Sequence, residues 1–377
     1  MMLTISAIKA DVGSIGGHTR PSSRMMEAVR TELQRAAERG LILDSDVTHC
    51  GDDICLLMVH RQGSDDPEIH NFAWSVFTAA TTIAQEEALY GAGQDLLKDA
   101  PSGNVRGAGP GAAEITLDET AKERPAEPFM VFTADKCGPG AYNFPLWTLF
   151  TSPLYCAGLM LPQMKVGFRF TVIDMEHAGA DRVIELDAPE QHIDLAVLLR
   201  DENRFGIRAI HSRKYPTQQV VAVSTDRLHT IAGEYKGKDD PVSIIRTQGI
   251  FPAPEEVVSP YFTAHYVAGD ARGSHHMPLM PAPINTAITS AYCVPLVACM
   301  AYSVSKAGKL SEAVDVFANP VWDATRLKAQ QKADEMRRQG FVGPAMLPTQ
   351  ELEYSAFQQS LAELEEQFRI VEKPGPT

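Results

Sequence analysis

Two apolar runs of this chain end alike, and that ending constrains the fold more than any other feature. Thr4 to Ala10 is extended and apolar, closes on Asp11, and runs into Gly13, Gly16, Gly17 and His18. Phe129 to Thr133 closes on Ala134-Asp135-Lys136 and then Gly138-Pro139-Gly140. A strand that carries a carboxylate to its last residue and then turns through glycines makes a functional loop at the end of a sheet. Between the two, Val47 to His49 and Ile54 to Val59 read as strands hinged by Cys50-Gly51-Asp52-Asp53, which sets adjacent carboxylates in a tight turn. The recurrence is too loose to be a sequence repeat.

The segments between these runs are of several kinds. Ser23 to Arg39 places Met25, Met26, Val29, Leu33, Ala36 and Ala37 at helical spacing, with Ser22 or Ser23 as cap and Gly40 as stop. Asp66-Pro67 opens a long helix that ends near Tyr90-Gly91-Ala92-Gly93-Gln94. Lys98 to Pro128 lacks any period and is rich in Gly, Pro and charge, so a long surface loop is expected there. Gly167 to Asp174, Arg182 to Leu186 and Val220 to Ser224 are β-rich; a polar helix is expected from Asn319-Pro320 through Gln339 and another from Glu351 to Phe368. Strands and helices mix without a regular βαβ alternation, which favours a sheet-rich α/β or α+β domain over a doubly wound nucleotide fold. Length alone leaves one or two domains open.

Charge narrows the function. Lys plus Arg total 34 against 48 Asp plus Glu, a net charge of -14, so the surface repels nucleic acid and anionic lipid. Phosphorylated metabolites are repelled too, and a phosphate site must carry its own Lys, Arg or metal cations. The longest apolar stretch, Ala291 to Val304, is broken by Pro295 and too short for a membrane span. Met1-Met2-Leu3-Thr4-Ile5 enters a strand with no basic region, signal core or cleavage site. The cysteines at 50, 55, 137, 156, 293 and 299 form no CxxC pair and read as reduced. A cytoplasmic protein is expected.

Four acidic stations carry the chemistry: Asp11, Asp52-Asp53, Asp135, and the pair in Tyr235-Lys236-Gly237-Lys238-Asp239-Asp240. Carboxylates brought from several turns can converge on Mg²⁺, which takes oxygen ligands and bridges them to substrate phosphates. Turn-forming aspartates and solvated charges explain the same residues, and composition does not decide between the two. Lys238, between Gly237 and the Asp pair and close to Tyr235, suits imine chemistry if burial or metal cations lower its pKa; an exposed charged turn is the plainer reading. His18 is a metal ligand, a phosphate donor or an ordinary loop histidine, and Lys136 and Arg272 are candidates for phosphoryl oxygens. His275-His276 lacks the spaced partner of a zinc site. There is no P-loop, no GxGxxG after a strand and no GxSxG elbow.

Taken in order, these stations resemble the bifunctional fructose-1,6-bisphosphate aldolase/phosphatase family, also called class V fructose bisphosphatases. The resemblance runs from Asp11-Val12-Gly13-Ser14-Ile15-Gly16-Gly17-His18 through Cys50-Gly51-Asp52-Asp53, Tyr90-Gly91-Ala92-Gly93-Gln94-Asp95 and Ser102-Gly103-Asn104-Val105-Arg106-Gly107. It continues through Ala134-Asp135-Lys136, Gly237-Lys238-Asp239-Asp240-Pro241, Arg246-Thr247-Gln248-Gly249, Arg272-Gly273-Ser274-His275 and Glu353-Tyr354, nearly the whole chain. It implies a single-domain, four-layer α-β-β-α sandwich assembled as a homo-octamer. It implies a gluconeogenic enzyme that condenses dihydroxyacetone phosphate with glyceraldehyde 3-phosphate and then hydrolyses the 1-phosphate to leave fructose 6-phosphate. By the same resemblance Lys238 forms the Schiff base, Tyr235 exchanges protons, and Asp11 is the base for water. Several Mg²⁺ ions would be held by Asp11, His18, Asp52, Asp53, Gln94, Asp135, Asp239 and Asp240. His18, Tyr90, Gly103, Asn104, Lys136, Gln248, Arg272 and Tyr354 would contact substrate, Tyr90 in a neighbouring subunit's site.

One departure stands out. Where the family has an aromatic-Asp-Gly-Pro-Pro segment, this chain has Tyr292-Cys293-Val294-Pro295-Leu296, and a thiol does not replace a carboxylate as acceptor from a sugar hydroxyl. Cys137 after Lys136 is a milder change. Two other readings are an Mg²⁺-dependent sugar bisphosphate phosphatase without aldolase activity and a metal-stabilised binding protein without turnover.

Overall fold

The computed structural model describes residues 2–96, 109–117, 127–177, 179–227, 237–269, 276–288, 294–338 and 356–371. Strands β1 (Leu3–Asp11), β2 (Asp44–Cys50), β3 (Asp53–His60) and β4 (Gly111–Leu117) form, with the short β10 (Asp226–Arg227), a sheet in the order β10-β4-β1-β3-β2. The second sheet is wider. It takes β5 (Glu127–Asp135), β6 (Phe168–Asp174), β7 (Asp181–Ala188), β8 (Phe205–Ser212), β9 (Gln219–Val223) and β11 (Val242–Arg246). Further along the chain it adds β14 (Met280–Pro281), β15 (Leu296–Val304), β16 (Val314–Asp315) and β17 (Arg369–Val371). Its order is β14-β15-β5-β11-β9-β8-β6-β7-β17, with β16 paired to β15. A separate ribbon joins β12 (Tyr266–Ala268) to β13 (His276–Pro278).

Side-chain parity stacks these sheets. Along β1 and β3, Leu3, Ile5, Ala7, Cys55, Leu57 and Val59 face Phe129, Val131, Val242, Ile244 and Met300 of the wider sheet. The alternate residues Ile8, Ala10, Ile54, Leu56 and Met58 face the other way, onto helices α1 (Ser23–Glu38) and α2 (Pro67–Glu86). On the wider sheet Met130, Phe132 and Ala134 turn outward onto α3 (Asn143–Thr151), α4 (His192–Leu199), α5 (Pro254–Val258) and α7 (Ala356–Glu365). A strand period of two, apolar on both faces, produces this α-β-β-α layering in a mixed α/β fold. Helix α6 (Asp323–Arg337) lies aside, its Ala333 and Met336 against Met277.

The helix starts follow local chemistry. Ser22 Oγ accepts the Met25 N–H, and Asp66 Oδ1 accepts those of Glu68 and Ile69 with Pro67 at the first turn.

Two expectations need correction. The loop placed at 98–128 contains β4, which lies between β1 and β10 and pairs with β1 from Leu3↔Leu117 to Lys9↔Gly111. Its Gly111-Ala112-Ala113 start has little β propensity of its own, and neighbours on both sides impose the strand. Its Ser102–Gly107 part lies outside the described residues, as does most of the span around it. The polar helix placed from Asn319 begins at Asp323, after a 3-10 turn over Pro320–Trp322. Among the described residues no helix is long and apolar enough to cross a membrane.

Candidate active site

The parity that fills the space between the sheets also delivers charge to its end. Asp11 closes β1, Asp53 opens β3 directly opposite it in register, and Asp135 closes β5. Gly51 and Asp52 turn between β2 and β3. At Gly51, with φ +54°, a Cβ would stand 1.4 Å from Asp135 Oδ2, so only glycine admits that carboxylate. Asp135 Oδ2 accepts the Asp52 N–H at 3.2 Å, and Lys136 Nζ donates to Asp135 Oδ1 at 2.8 Å and to Asp52 Oδ1. His18 Nδ1 stands 3.0 Å from Asp52 Oδ2 and 4.0 Å from Asp11 Oδ2, its ring meeting the Tyr90 ring edge to face at 4.8 Å.

A second group abuts the first. The turn over Tyr90–Gln94 is pinned to the end of β1 by the Ser14–Tyr90 bridge and by Gly93 N–H donating to Val12 O at 3.0 Å. The next residue, Asp95, accepts the Asp11 N–H at Oδ2, 2.9 Å. Lys238 Nζ lies 3.1 Å from Asp95 Oδ2 and 2.7 Å from Asp239 Oδ1. Asp240 exchanges bonds with Cys137: its N–H donates to Cys137 O at 2.8 Å and its Oδ1 accepts the Cys137 N–H at 2.7 Å. Only the Cys137 backbone is used, so the thiol at that position leaves this contact intact. Lys9 Nζ ties both groups together, donating to the Asp53 carboxylate and to Asp240 O at 2.9 Å. Lys136 and Asp240 both take left-handed backbone, φ +63° and +50°, as residues held by their surroundings do.

Crowded carboxylates in a dry site resist ionisation. Burial, then the charges of Asp52, Asp53 and Asp95, lift the Asp11 carboxyl well above its usual range. Burial also lifts Asp135, with Asp52 and Asp240 adding to it, and raises Asp95 and Asp240 to about 7 each. Asp52 goes the other way: burial opposes its charge, but Lys136 and His18 overcome that and hold it well below the carboxylate range. Burial likewise opposes the Lys238 charge, and Asp239 and Asp95 more than offset it, so the amine is held as an ammonium ion.

The donor set fits divalent cations. Asp11, His18 and Asp52 offer ligand atoms within 4.8 Å of one another, and so do Asp52, Asp53 and Asp135. Asp53 Oδ1 and Gln94 Oε1 are buried without a hydrogen-bond partner among the described residues. Hard oxygen donors with spare lone pairs are what Mg²⁺ and its relatives take.

Of the residues singled out in the sequence, Asp11, His18, Asp52, Asp53, Tyr90, Gln94, Asp135, Lys136, Lys238, Asp239 and Asp240 come together here. Gln248 does not: it follows the far end of β11, beside Pro128, with a five-residue strand, roughly 17 Å at ~3.3 Å per residue, between it and Asp240. Tyr235, Gly103, Asn104, Arg272, Tyr354 and Cys293 lie outside the described residues. Sequence reasoning gave no role to Lys9 or Asp95. The signal for Lys9 was a charge at the inward parity of β1, after the apolar Leu3, Ile5 and Ala7.

Known proteins are similar to this chain over nearly its whole length. A family model described as fructose-1,6-bisphosphatase matches residues 2–369. A Thermus thermophilus protein named fructose-1,6-bisphosphate aldolase/phosphatase is 53% identical over 98% of this chain and 100% of its own length. Proteins of the same name from Cenarchaeum symbiosum (44% identical; 94% of this chain, 91% of theirs) and Methanocaldococcus jannaschii (43%; 100% and 96%) are similar over nearly as much. With the fold, the acidic cluster and a match of this extent in agreement, the chain belongs to the fructose-1,6-bisphosphatase family represented by that model.

Proposed function

We propose that the chain is a bifunctional fructose-1,6-bisphosphate aldolase/phosphatase of gluconeogenesis, working in the cytoplasm as a homo-octamer. The observation that carries this reading is the convergence of one lysine amine, Lys238, and the carboxylates of Asp11, Asp52, Asp53 and Asp135 at one end of the inter-sheet layer. In the first reaction Lys238, once its ammonium group has given up a proton, adds to the carbonyl carbon of dihydroxyacetone phosphate, water leaves, and an imine forms. Tyr235 takes a proton from the adjacent carbon, the resulting enamine attacks the aldehyde of glyceraldehyde 3-phosphate, and water releases fructose 1,6-bisphosphate from Lys238. In the second, Asp11 takes a proton from the water that attacks the 1-phosphate, for which a carboxyl held above its usual range is suited. Lys136, Arg272, His18, Gly103 and Asn104 hold phosphate and sugar oxygens, together with Tyr354. Mg²⁺ ions, held by Asp11, His18, Asp52, Asp53, Gln94, Asp135, Asp239 and Asp240, would supply positive charge to the phosphoryl oxygens and a lowered pKa to bound water. The exposure of Tyr90, 50%, supports its reaching a neighbouring subunit's site.

The test supplies both triose phosphates and Mg²⁺ to the purified chain. Fructose 6-phosphate should accumulate with one equivalent of inorganic phosphate. Phosphate release from added fructose 1,6-bisphosphate with no product from the trioses would leave only a phosphatase.

A further inference from the structure

We infer that Asp95 is a positioning residue that parks the Lys238 amine against the end of β1 and must release it before condensation. Asp95 is 4% exposed and touches both reaction centres: its Oδ2 accepts the Asp11 N–H at 2.9 Å and lies 3.1 Å from Lys238 Nζ, while its Oδ1 lies 3.3 Å from the same nitrogen. Asp239 Oδ1 takes a further Lys238 N–H at 2.7 Å. The Lys238 stem lies against Gly111, where a Cβ would come within 2.6 Å of Lys238 Cγ, and the residue is 2% exposed. An amine spent on these contacts has no lone pair directed at a carbonyl. Lys238 must therefore leave Asp95, lose one ammonium proton to solvent, and add to the carbonyl carbon, whose oxygen departs as water. The parked arrangement leaves the Asp11 end of the cluster intact, so Asp95 sets how the site divides its time between the two reactions.

This inference rests on the imine assigned to Lys238 above, and its test separates the two. Borohydride trapping with dihydroxyacetone phosphate, followed by mass spectrometry of the Lys238 peptide, reads imine formation directly. The amide of Asp95→Asn has one acceptor oxygen, enough for the Asp11 N–H, and its NH₂ group faces the ammonium, so the amine loses its Asp95 contacts while keeping that to Asp239. A protein whose competent state is a minor fraction binds more weakly by that fraction, so removing the latch tightens apparent binding. The dihydroxyacetone phosphate concentration for half-maximal trapping should fall at least threefold in Asp95→Asn, and Asp95→Glu should move it back toward the wild-type value. A half-saturating concentration in Asp95→Asn that is unchanged or higher overturns the latch, since loss of a purely structural contact acts in that direction. No adduct on Lys238 of the wild-type protein instead overturns the imine, and the latch with it. Should Asp95→Asn not fold, acetic anhydride labelling of the substrate-free wild-type protein decides: Lys238 should react far more slowly than exposed Lys306, and equal rates overturn the proposal.

Discussion

Gly51 shows how much of this site hangs on single residues. Its left-handed backbone turns the chain between two strands, and its missing side chain is the space into which Asp135 Oδ2 points. Gly51→Ala therefore meets two costs together, about 1–2 kcal/mol for an L-residue in that conformation and the displacement of a carboxylate that accepts bonds from Asp52 and Lys136. The variant should bind Mn²⁺ at least tenfold more weakly by calorimetry and melt several degrees lower; wild-type affinity would mean that Asp135 is not needed as a ligand. At this scale the sequence was readable where residue type and position coincide: an Asp at the end of an apolar run, an Asp pair in a glycine turn, a Lys beside two acids. Lys9 and Asp95 were harder to read because their roles come from partners far along the chain, Asp240 for one and Lys238 for the other. No local pattern announces a contact across 231 or 143 residues.

Among the elements, β4 differs most from its own sequence. Gly111-Ala112-Ala113-Glu114-Ile115-Thr116-Leu117 holds a Glu and three small residues, yet it lies beside β1 with Ala113, Ile115 and Leu117 in the inter-sheet core. Glu114 turns to the opposite face, where its carboxylate meets Ser6 Oγ at 2.5 Å, the Asp65 N–H at 2.6 Å and His70 Nε2 at 3.3 Å. The partners that make this glutamate tolerable come from β1, α2 and the turn before it, so the strand is legible only once its neighbours are placed. Strand β15 was hidden differently, as an apolar run that Pro295 interrupts just before Leu296 begins to pair. Strands with clear alternation and helices with cap residues, such as β1, β5, α1 and α2, were placed to within a few residues. If β4 is a true core strand, Ile115→Ala, fully buried, should cost about 2–5 kcal/mol in urea unfolding, whereas Ile370→Ala, 54% exposed on edge strand β17, should cost under ~0.5 kcal/mol. Equal, small costs would place β4 outside the core.

For the molecule as a whole the site is an imbalance of charge that folding must accommodate. Asp11, Asp52, Asp53, Asp95, Asp135, Asp239 and Asp240 face Lys9, Lys136 and Lys238, within a chain already carrying a net charge of -14. The carboxyls of Asp11, Asp95, Asp135 and Asp240 are all raised, so protons take up the surplus that two divalent cations would neutralise. The sign of the pH dependence follows. A carboxyl whose folded pKa lies above its unfolded value of 3.8 adds stability that is complete below that value and is lost as pH rises through the folded value, about 7 for Asp95 and Asp240. Asp52 is shifted downward and works in the opposite sense only in acid, well below this window, while His49, His60, His211 and His265, held below their usual 6.5 by burial, offset part of the loss near pH 6. Each excess proton held by the folded state makes stability fall by about 1.4 kcal/mol per pH unit. In EDTA the protein should therefore melt several degrees lower at pH 8 than at pH 6. Cations compete with those same protons, so Mg²⁺ should raise the melting temperature more at pH 8 than at pH 6 and narrow the difference. Calorimetric scans at the two pH values, with and without Mg²⁺, check both effects. A metal-free melting temperature that climbs between pH 6 and 8 would mean that the folded cluster holds no such excess of protons.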